Sequence, residues 1–339
     1  MTWMITGTGW HPRMFREEVS RIHGPFTPLH PRILELEDWD KDQSWCSEST
    51  FLLRDAAILP MDEAEIPAFL DEWGSELNIQ GTFAVRASKL GVGLPALSKR
   101  NVEHRVGDHF FRLGHSVNLV NPETPIRVIM AGAPDRPQHM DSRDSYPLLV
   151  IGIDETYERP YLKRAMTSMP FFKPVTLDPK LASLLISLAY QDRNPPDQII
   201  DPFCGTGCIS LQARFRGITA LSSDVDPIMV EGAKQNFGYA YGQESPNHPC
   251  ETSDASKLFE TWGSQSNTAF IFDPPYARNS RTSESAFDVL RSAGESAKEI
   301  DPEGVIVTIL PSSDLDILDD LEINNNAEVM GRSWGEVHE

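Results

Sequence analysis

The 339-residue sequence predicts an α/β protein: a doubly wound, mostly parallel sheet in the carboxyl-terminal half, preceded by α+β modules in the amino-terminal half. Three observations carry this reading. An apolar run, Gln198 to Ile200, meets Asp201-Pro202-Phe203-Cys204-Gly205-Thr206-Gly207 and then a helical stretch, Cys208 to Phe215, which is a strand, a glycine turn and a helix start. A second apolar segment, Ile218 to Ser223, ends in Asp224, and a third, Thr268 to Phe272, ends in Asp273-Pro274-Pro275-Tyr276. In the front half, short strands and helices succeed one another with no internal repeat or low-complexity tract.

In chain order, residues 2–45 read as a strand, a helix from Pro12 to Ile22 and a strand around Arg32 to Leu36. A strand from Phe51 to Leu53 leads to a helix, Glu63 to Leu77, with Ile66, Phe69, Leu70 and Trp73 on one face. Gly81 to Ala87 is a strand and Ser98 to Phe110 a polar helix; strands follow at Ser116 to Val120, Ile126 to Met130 and Leu148 to Ile153, with Ala131 to Tyr146 a loop. A helix ending near Ala189 precedes the glycine-turn strand, Gly304 to Leu310 is a fifth strand, and Ala327 to Glu339 is left to supply the last two.

The motifs imply chemistry. Gly205 and Gly207 carry no Cβ and accept positive φ, so backbone N–H groups at a helix N-terminus can approach a ligand. Asp224, at the tip of the next parallel strand, is placed to accept hydrogen bonds from ribose hydroxyls. Nicotinamide and flavin enzymes share such a turn and acid, but Ser210 stands where their third glycine would be. Asp273 lies at a strand's carboxyl end, where open α/β sheets bind ligands. The two prolines after it lack N–H groups, so this turn presents carbonyls and a carboxylate, a surface that accepts protons from an amine, and Tyr276 adds a flat face for a base.

These residues resemble class I S-adenosylmethionine-dependent, amino-methylating methyltransferases, whose fold is Rossmann-like, over residues 170–339. The resemblance implies that Asp201, Phe203, Gly205, Thr206 and Gly207 hold the methionine end of the cofactor, Asp224 and Val225 its ribose, and Asp254 and Ala255 its adenine. Upstream, Phe83-Ala84-Val85-Arg86-Ala87, Val106-Gly107 and Val117-Asn118-Leu119-Val120-Asn121-Pro122-Glu123 resemble a THUMP domain preceded by a ferredoxin-like module. The joint, Pro170-Phe171-Phe172-Lys173-Pro174 with Leu177-Asp178-Pro179-Lys180-Leu181-Ala182, is similar to that of archaeal tRNA (guanine-N2) methyltransferases acting at position 10; there it lines the cofactor pocket, which implies roles for Phe172 and Thr176. The implied organisation is a ferredoxin-like module at 1–48, a THUMP tRNA-binding domain at 49–156, a proline-stiffened linker at 157–175 and a methyltransferase domain at 176–339.

The expected reaction is methyl transfer to the N2 amine of a tRNA guanine, with Asp273 and the Pro274 carbonyl holding the amine, Pro275 stiffening the turn and Tyr276 stacking on the base. The alternatives are methylation of guanine 6, an N6-adenine methylase, and a non-catalytic tRNA-binding protein. Four scattered cysteines, Cys46, Cys204, Cys208 and Cys250, predict a reduced, cytoplasmic setting without zinc or other metal. No apolar stretch predicts a membrane segment, and nothing predicts an obligate protein partner.

A net charge of -20 argues against a nucleic-acid binder, since phosphate contacts come from basic surfaces. Only nine of the thirty basic residues are Lys, an acid-rich balance that suits either a high-salt proteome or a solvated surface. One basic island runs against the trend: Arg86, Lys89, Lys99, Arg100, Arg105 and Arg112, opposed by Glu103 and Asp108, predict a tRNA-anchoring surface.

Overall fold

Strand-forming residues in the first unit, Met1–Glu158, assemble a single eight-stranded sheet. The computed structural model describes residues 1–7, 12–40, 46–77, 79–91, 94, 97–133, 146–157, 166–242, 248–274 and 286–309. The elements of this unit are β1 (Trp3–Gly7), α1 (Pro12–His23), β2 (Phe26–His30), β3 (Ile33–Leu36), β4 (Ser49–Leu59), α2 (Ile66–Glu76), β5 (Thr82–Leu90), α3 (Lys99–Arg112), β6 (Ser116–Val117), β7 (Thr124–Ala131) and β8 (Leu148–Asp154). They lie in the order β2-β3-β1-β4-β8-β7-β5-β6, antiparallel except where β5 pairs with β7 and β6. The boundary expected between residues 48 and 49 falls inside this sheet, because β1 pairs with β3 on one side and β4 on the other.

Two departures from expectation have local causes. Strand β2 contains Pro28, which cannot donate to a ladder, and the strand is tolerated because it forms the sheet edge. Strand β6 stops at Val117 rather than Val120 because the next residue bends the chain: the Asn118 Oδ1 accepts the N–H groups of Val120 and Asn121, each at 3.1 Å, and its Nδ2 donates to the Asn121 carbonyl. Helix α3 starts where Ser98 caps it, its Oγ accepting the Asn101 N–H at 3.1 Å. Its apolar face, Val102, Val106 and Phe110, packs with Phe83, Val85, Val128 and Ile151 of the sheet.

The second unit, Arg159–Glu339, holds α4 (Pro179–Leu188), β9 (Gln198–Asp201), α5 (Cys208–Phe215), β10 (Thr219–Asp224), α6 (Pro227–Tyr241), β11 (Cys250–Thr252), α7 (Leu258–Trp262), β12 (Thr268–Phe272), α8 (Ala286–Ile300) and β13 (Val305–Thr308). Asp178 caps α4 with Pro179 at its first position, a strong start signal. The strands are all parallel in the order β11-β10-β9-β12-β13. From β9 the chain moves outward to β11 and returns to β12 on the other side, so the order reverses between β9 and β12. Every residue of β12 is buried, as a strand covered on both faces must be. One face carries Ile200, Leu221, Phe270, Phe272, Leu290 and Ile300. The last strands expected from Ala327 to Glu339 lie outside the described residues.

Candidate active site

The motif residues gather at one edge of the parallel sheet. Asp201 ends β9, Asp224 ends β10, Asp254 follows β11 and Asp273 follows β12. Between the first two strands the glycine loop is folded by its own chemistry. Gly205 and Gly207 stand at φ +49° and +83°, a region that side chains with a Cβ disfavour. The Gly205 N–H donates to Asp224 Oδ2 at 3.0 Å, the Asp226 N–H to Asp224 Oδ1 at 2.9 Å, and the Phe203 N–H to Asp201 Oδ1 at 3.2 Å. Phe203 sets its ring edge-on to Phe272, at 5.8 Å between centroids, joining the loop to the end of β12.

Of the residues expected to line the pocket from the joint, Thr176 meets the loop directly, the Thr206 hydroxyl donating to Thr176 Oγ1 at 3.1 Å, while Phe172 and Val225 are exposed. Ala255 is buried. Asp254 caps the short 3-10 turn Ala255–Lys257, accepting the Ser256 N–H at 2.9 Å and its hydroxyl at 2.8 Å, which holds its carboxyl below the ordinary range. Pro274 is buried beside Asp273, and Pro275 and Tyr276 lie outside the described residues.

Burial pushes three acids upward. It raises the Asp273 carboxyl to about 6, and among the described residues no donor pairs with that carboxylate. It also raises Asp224, against the pull of the Asp226 and Gly205 N–H groups. Asp201 stands well above the usual carboxylate range, again by burial first, with Asp273 and Asp224 adding to the rise; its Oδ2 is buried without a partner among the described residues. Cys204 and Cys250 lie behind the loop with their sulfurs 3.9 Å apart, and both thiols are buried. Among the described residues no group of His, Cys, Asp and Glu is placed to hold a metal, and no helix is long and apolar enough to cross a membrane.

In the first unit the basic side chains divide. Lys89, Lys99 and Arg100 are exposed. Arg105 pairs with Glu63, Arg112 with Asp108 at 2.6 Å, and Arg86 donates to the Leu119 carbonyl at 2.5 Å. One buried residue beside the loop, Asn236, was not expected from the sequence; a Gly and an Asn four positions apart inside a helix, Gly232 and Asn236, are the signal that marks it.

The parallel sheet with a glycine loop and acids on its carboxyl edge is a Rossmann-like nucleotide-binding arrangement, and a family model for the RMKL-like methyltransferase domain matches residues 167–328 over it. The chain is 30% identical over 260 residues to the tRNA (guanine(10)-N2)-dimethyltransferase of Pyrococcus abyssi, covering 77% of this chain and 71% of that protein. The enzyme of the same name from Methanothermobacter thermautotrophicus is 30% identical over 254 residues, or 73% and 69% of the two chains. The protein belongs to the tRNA (guanine(10)-N2)-dimethyltransferase family. Among solved structures, TrmN from Thermus thermophilus aligns with 94% of this chain and 91% of that one, at 19% identity and a TM-score of 0.49.

Proposed function

We propose that the protein transfers methyl from S-adenosylmethionine to the exocyclic N2 amine of guanine 10 in tRNA. The observation that carries the reading is Asp273, a half-buried carboxylate at the reversal of strand order whose acceptor capacity no described residue uses. A guanine N2 lone pair is delocalised into the ring and is a poor nucleophile. Asp273 accepts a hydrogen bond from the amine, localises that pair and takes the proton as the nitrogen–carbon bond forms, while the Pro274 carbonyl holds the second hydrogen. Tyr276 stacks on the base after it leaves the helical stack, and in-line orientation supplies most of the rate.

The residues present fit the cofactor. A Cβ built on Gly205 would meet nothing nearer than the Phe203 carbonyl at 3.9 Å, so a ligand has room against the loop backbone. The Asp201 Oδ2, without a partner among the described residues, has hydrogen-bonding capacity to offer a ligand, and Asp224 keeps lone pairs for hydroxyl donors beyond its two N–H bonds. Asp201, Phe203, Gly205, Thr206 and Gly207 would hold the methionine end, Asp224 and Val225 the ribose, Asp254 and Ala255 the adenine, with Phe172 and Thr176 as a wall. When bound, the cofactor supplies an electrophilic methyl on a sulfonium.

The tRNA anchor in this reading is the island of Arg86, Lys89, Lys99, Arg100, Arg105 and Arg112, within a THUMP domain at 49–156 that follows a ferredoxin-like module at 1–48. Transcripts with inosine in place of guanine 10 lack the N2 amine at that one position. They should accept no methyl group, whereas the guanine transcript should accept one or two; undiminished methylation of the inosine transcript would move the target elsewhere.

A further inference from the structure

Resting on the reading that the Gly205–Gly207 loop holds the cofactor, we propose that Asn236 is a positioning residue for methyl transfer, fastening the segment around Phe171 to that loop. The loop then takes its binding shape only when Phe171 is seated. Asn236 is 0% exposed, on α6, and its carboxamide reaches two separate stretches of chain. The Phe171 N–H donates to Asn236 Oδ1 at 2.9 Å, while Asn236 Nδ2 donates to the carbonyls of Phe171 at 2.8 Å and Thr206 at 2.9 Å. Both amide hydrogens and the oxygen are in use, so the group cannot be turned or replaced without orphaning a buried carbonyl.

The ring of Phe171 is held by the same helix. A Cβ built on Gly232, one turn before Asn236, would stand 2.1 Å from Phe171 Cδ1, so the missing side chain is the socket. Glycine is a poor residue for a helix interior, and this socket accounts for its presence there. The residue after Asn236 supports the other partner: a Cβ on Gly207 would stand 3.0 Å from the Phe237 ring. The Thr206–Thr176 hydroxyl pair ties the segment to the loop a second time. Helix α6 is therefore a bracket with the segment on one arm and the loop on the other, and the Asn236 amide bonds both.

Two substitutions attack the bracket from different sides. Asn236→Asp keeps shape but turns an oxygen toward two carbonyls. Gly232→Ala improves helix propensity, and the atoms its added Cβ meets most closely all belong to the Phe171 ring. In the full-length chain, titration calorimetry with S-adenosylhomocysteine should show each single variant weakened by about tenfold or more, and the double variant no more than about twofold worse than the weaker single, since both break one link. In ligand-free protein, hydrogen exchange should quicken in the peptide containing residues 203–208 of Gly232→Ala. A residue that merely stabilised the fold would lower the melting temperature and leave the folded protein's affinity and loop exchange unchanged. That result, or fully additive losses, would overturn the proposal. Should Asn236→Asp not fold, Phe171→Ala paired with Gly232→Ala replaces it. If the wild type binds no S-adenosylhomocysteine, the cofactor reading fails, and loop exchange in Gly232→Ala still decides the fastening.

Discussion

Charge is handled in opposite ways at two places in this chain. At the carboxyl edge of the second sheet, Asp201, Asp224 and Asp273 are withdrawn from water, and burial raises all three above the ordinary carboxylate range. On α3 and β5, the basic side chains stay at the surface, and Arg105 and Arg112 meet partly exposed acids. Withdrawing a charge costs stability and is worthwhile where a reaction needs a destabilised, ready acceptor. Leaving it solvated costs little and lets it displace counterions from a polyanion. On the proposed reading the contrast separates a place for chemistry from a place for docking, inside a chain whose net charge is -20.

The comparison breaks first, if it breaks, at Asp273. Asp273→Asn puts a donor where the amine already donates, and single-turnover rates should fall by about a hundredfold or more with cofactor affinity kept. The same carboxyl sets a pH limb: with its pKa raised to about 6, it is protonated and unable to accept below that value. The wild-type rate should therefore be lost as pH falls through about 6 and level off above it, a limb absent from Asp273→Asn.

On the proposed reading Asp224→Ala removes ribose contacts worth about 1.5–3 kcal/mol per hydrogen bond to a charged acceptor, so calorimetry should show cofactor affinity down by roughly tenfold or more. It also frees the Gly205 N–H that now donates to Asp224 Oδ2. A smaller effect is expected at the docking surface. Lys99→Glu with Arg100→Glu should weaken tRNA binding about tenfold, flatten its salt dependence by about one to two units of slope, and leave cofactor affinity intact. The smallest effect concerns stability. A buried acid with a raised folded pKa binds more protons folded than unfolded, so its contribution to stability falls as pH rises above the ordinary carboxylate range. Asp201→Asn should flatten the fall in melting temperature that accompanies a rise in pH above the ordinary carboxylate range.

Much of the site was legible because its residues sit in short sequence motifs. The strand Thr268–Phe272 and the helix Cys208–Phe215 match expectation residue for residue, the first as an unbroken apolar run and the second as the helix a glycine turn must open. Helix α6 was not, although Asp226-Pro227 is a good start signal, because Gly232 and Asn236 interrupt its apolar face. Asn236 was hidden for the same reason and because its partner Phe171 is 65 residues away. Strand β2 was masked by Pro28, whose tolerance depends on an edge position that only the assembled sheet reveals. The raised pKa of Asp273 was likewise illegible, since the burial that causes it exists only in the folded chain.

On the proposed reading the Asp273 edge methylates the N2 amine of guanine. Mass mapping of nucleosides from tRNA incubated with the full-length protein and S-adenosylmethionine tests it most directly. N2-methylguanosine or N2,N2-dimethylguanosine is expected in the fragment containing position 10, and its loss with Asp273→Asn. Methylation confined to adenine, or tRNA returned unmodified while the cofactor binds, would contradict it.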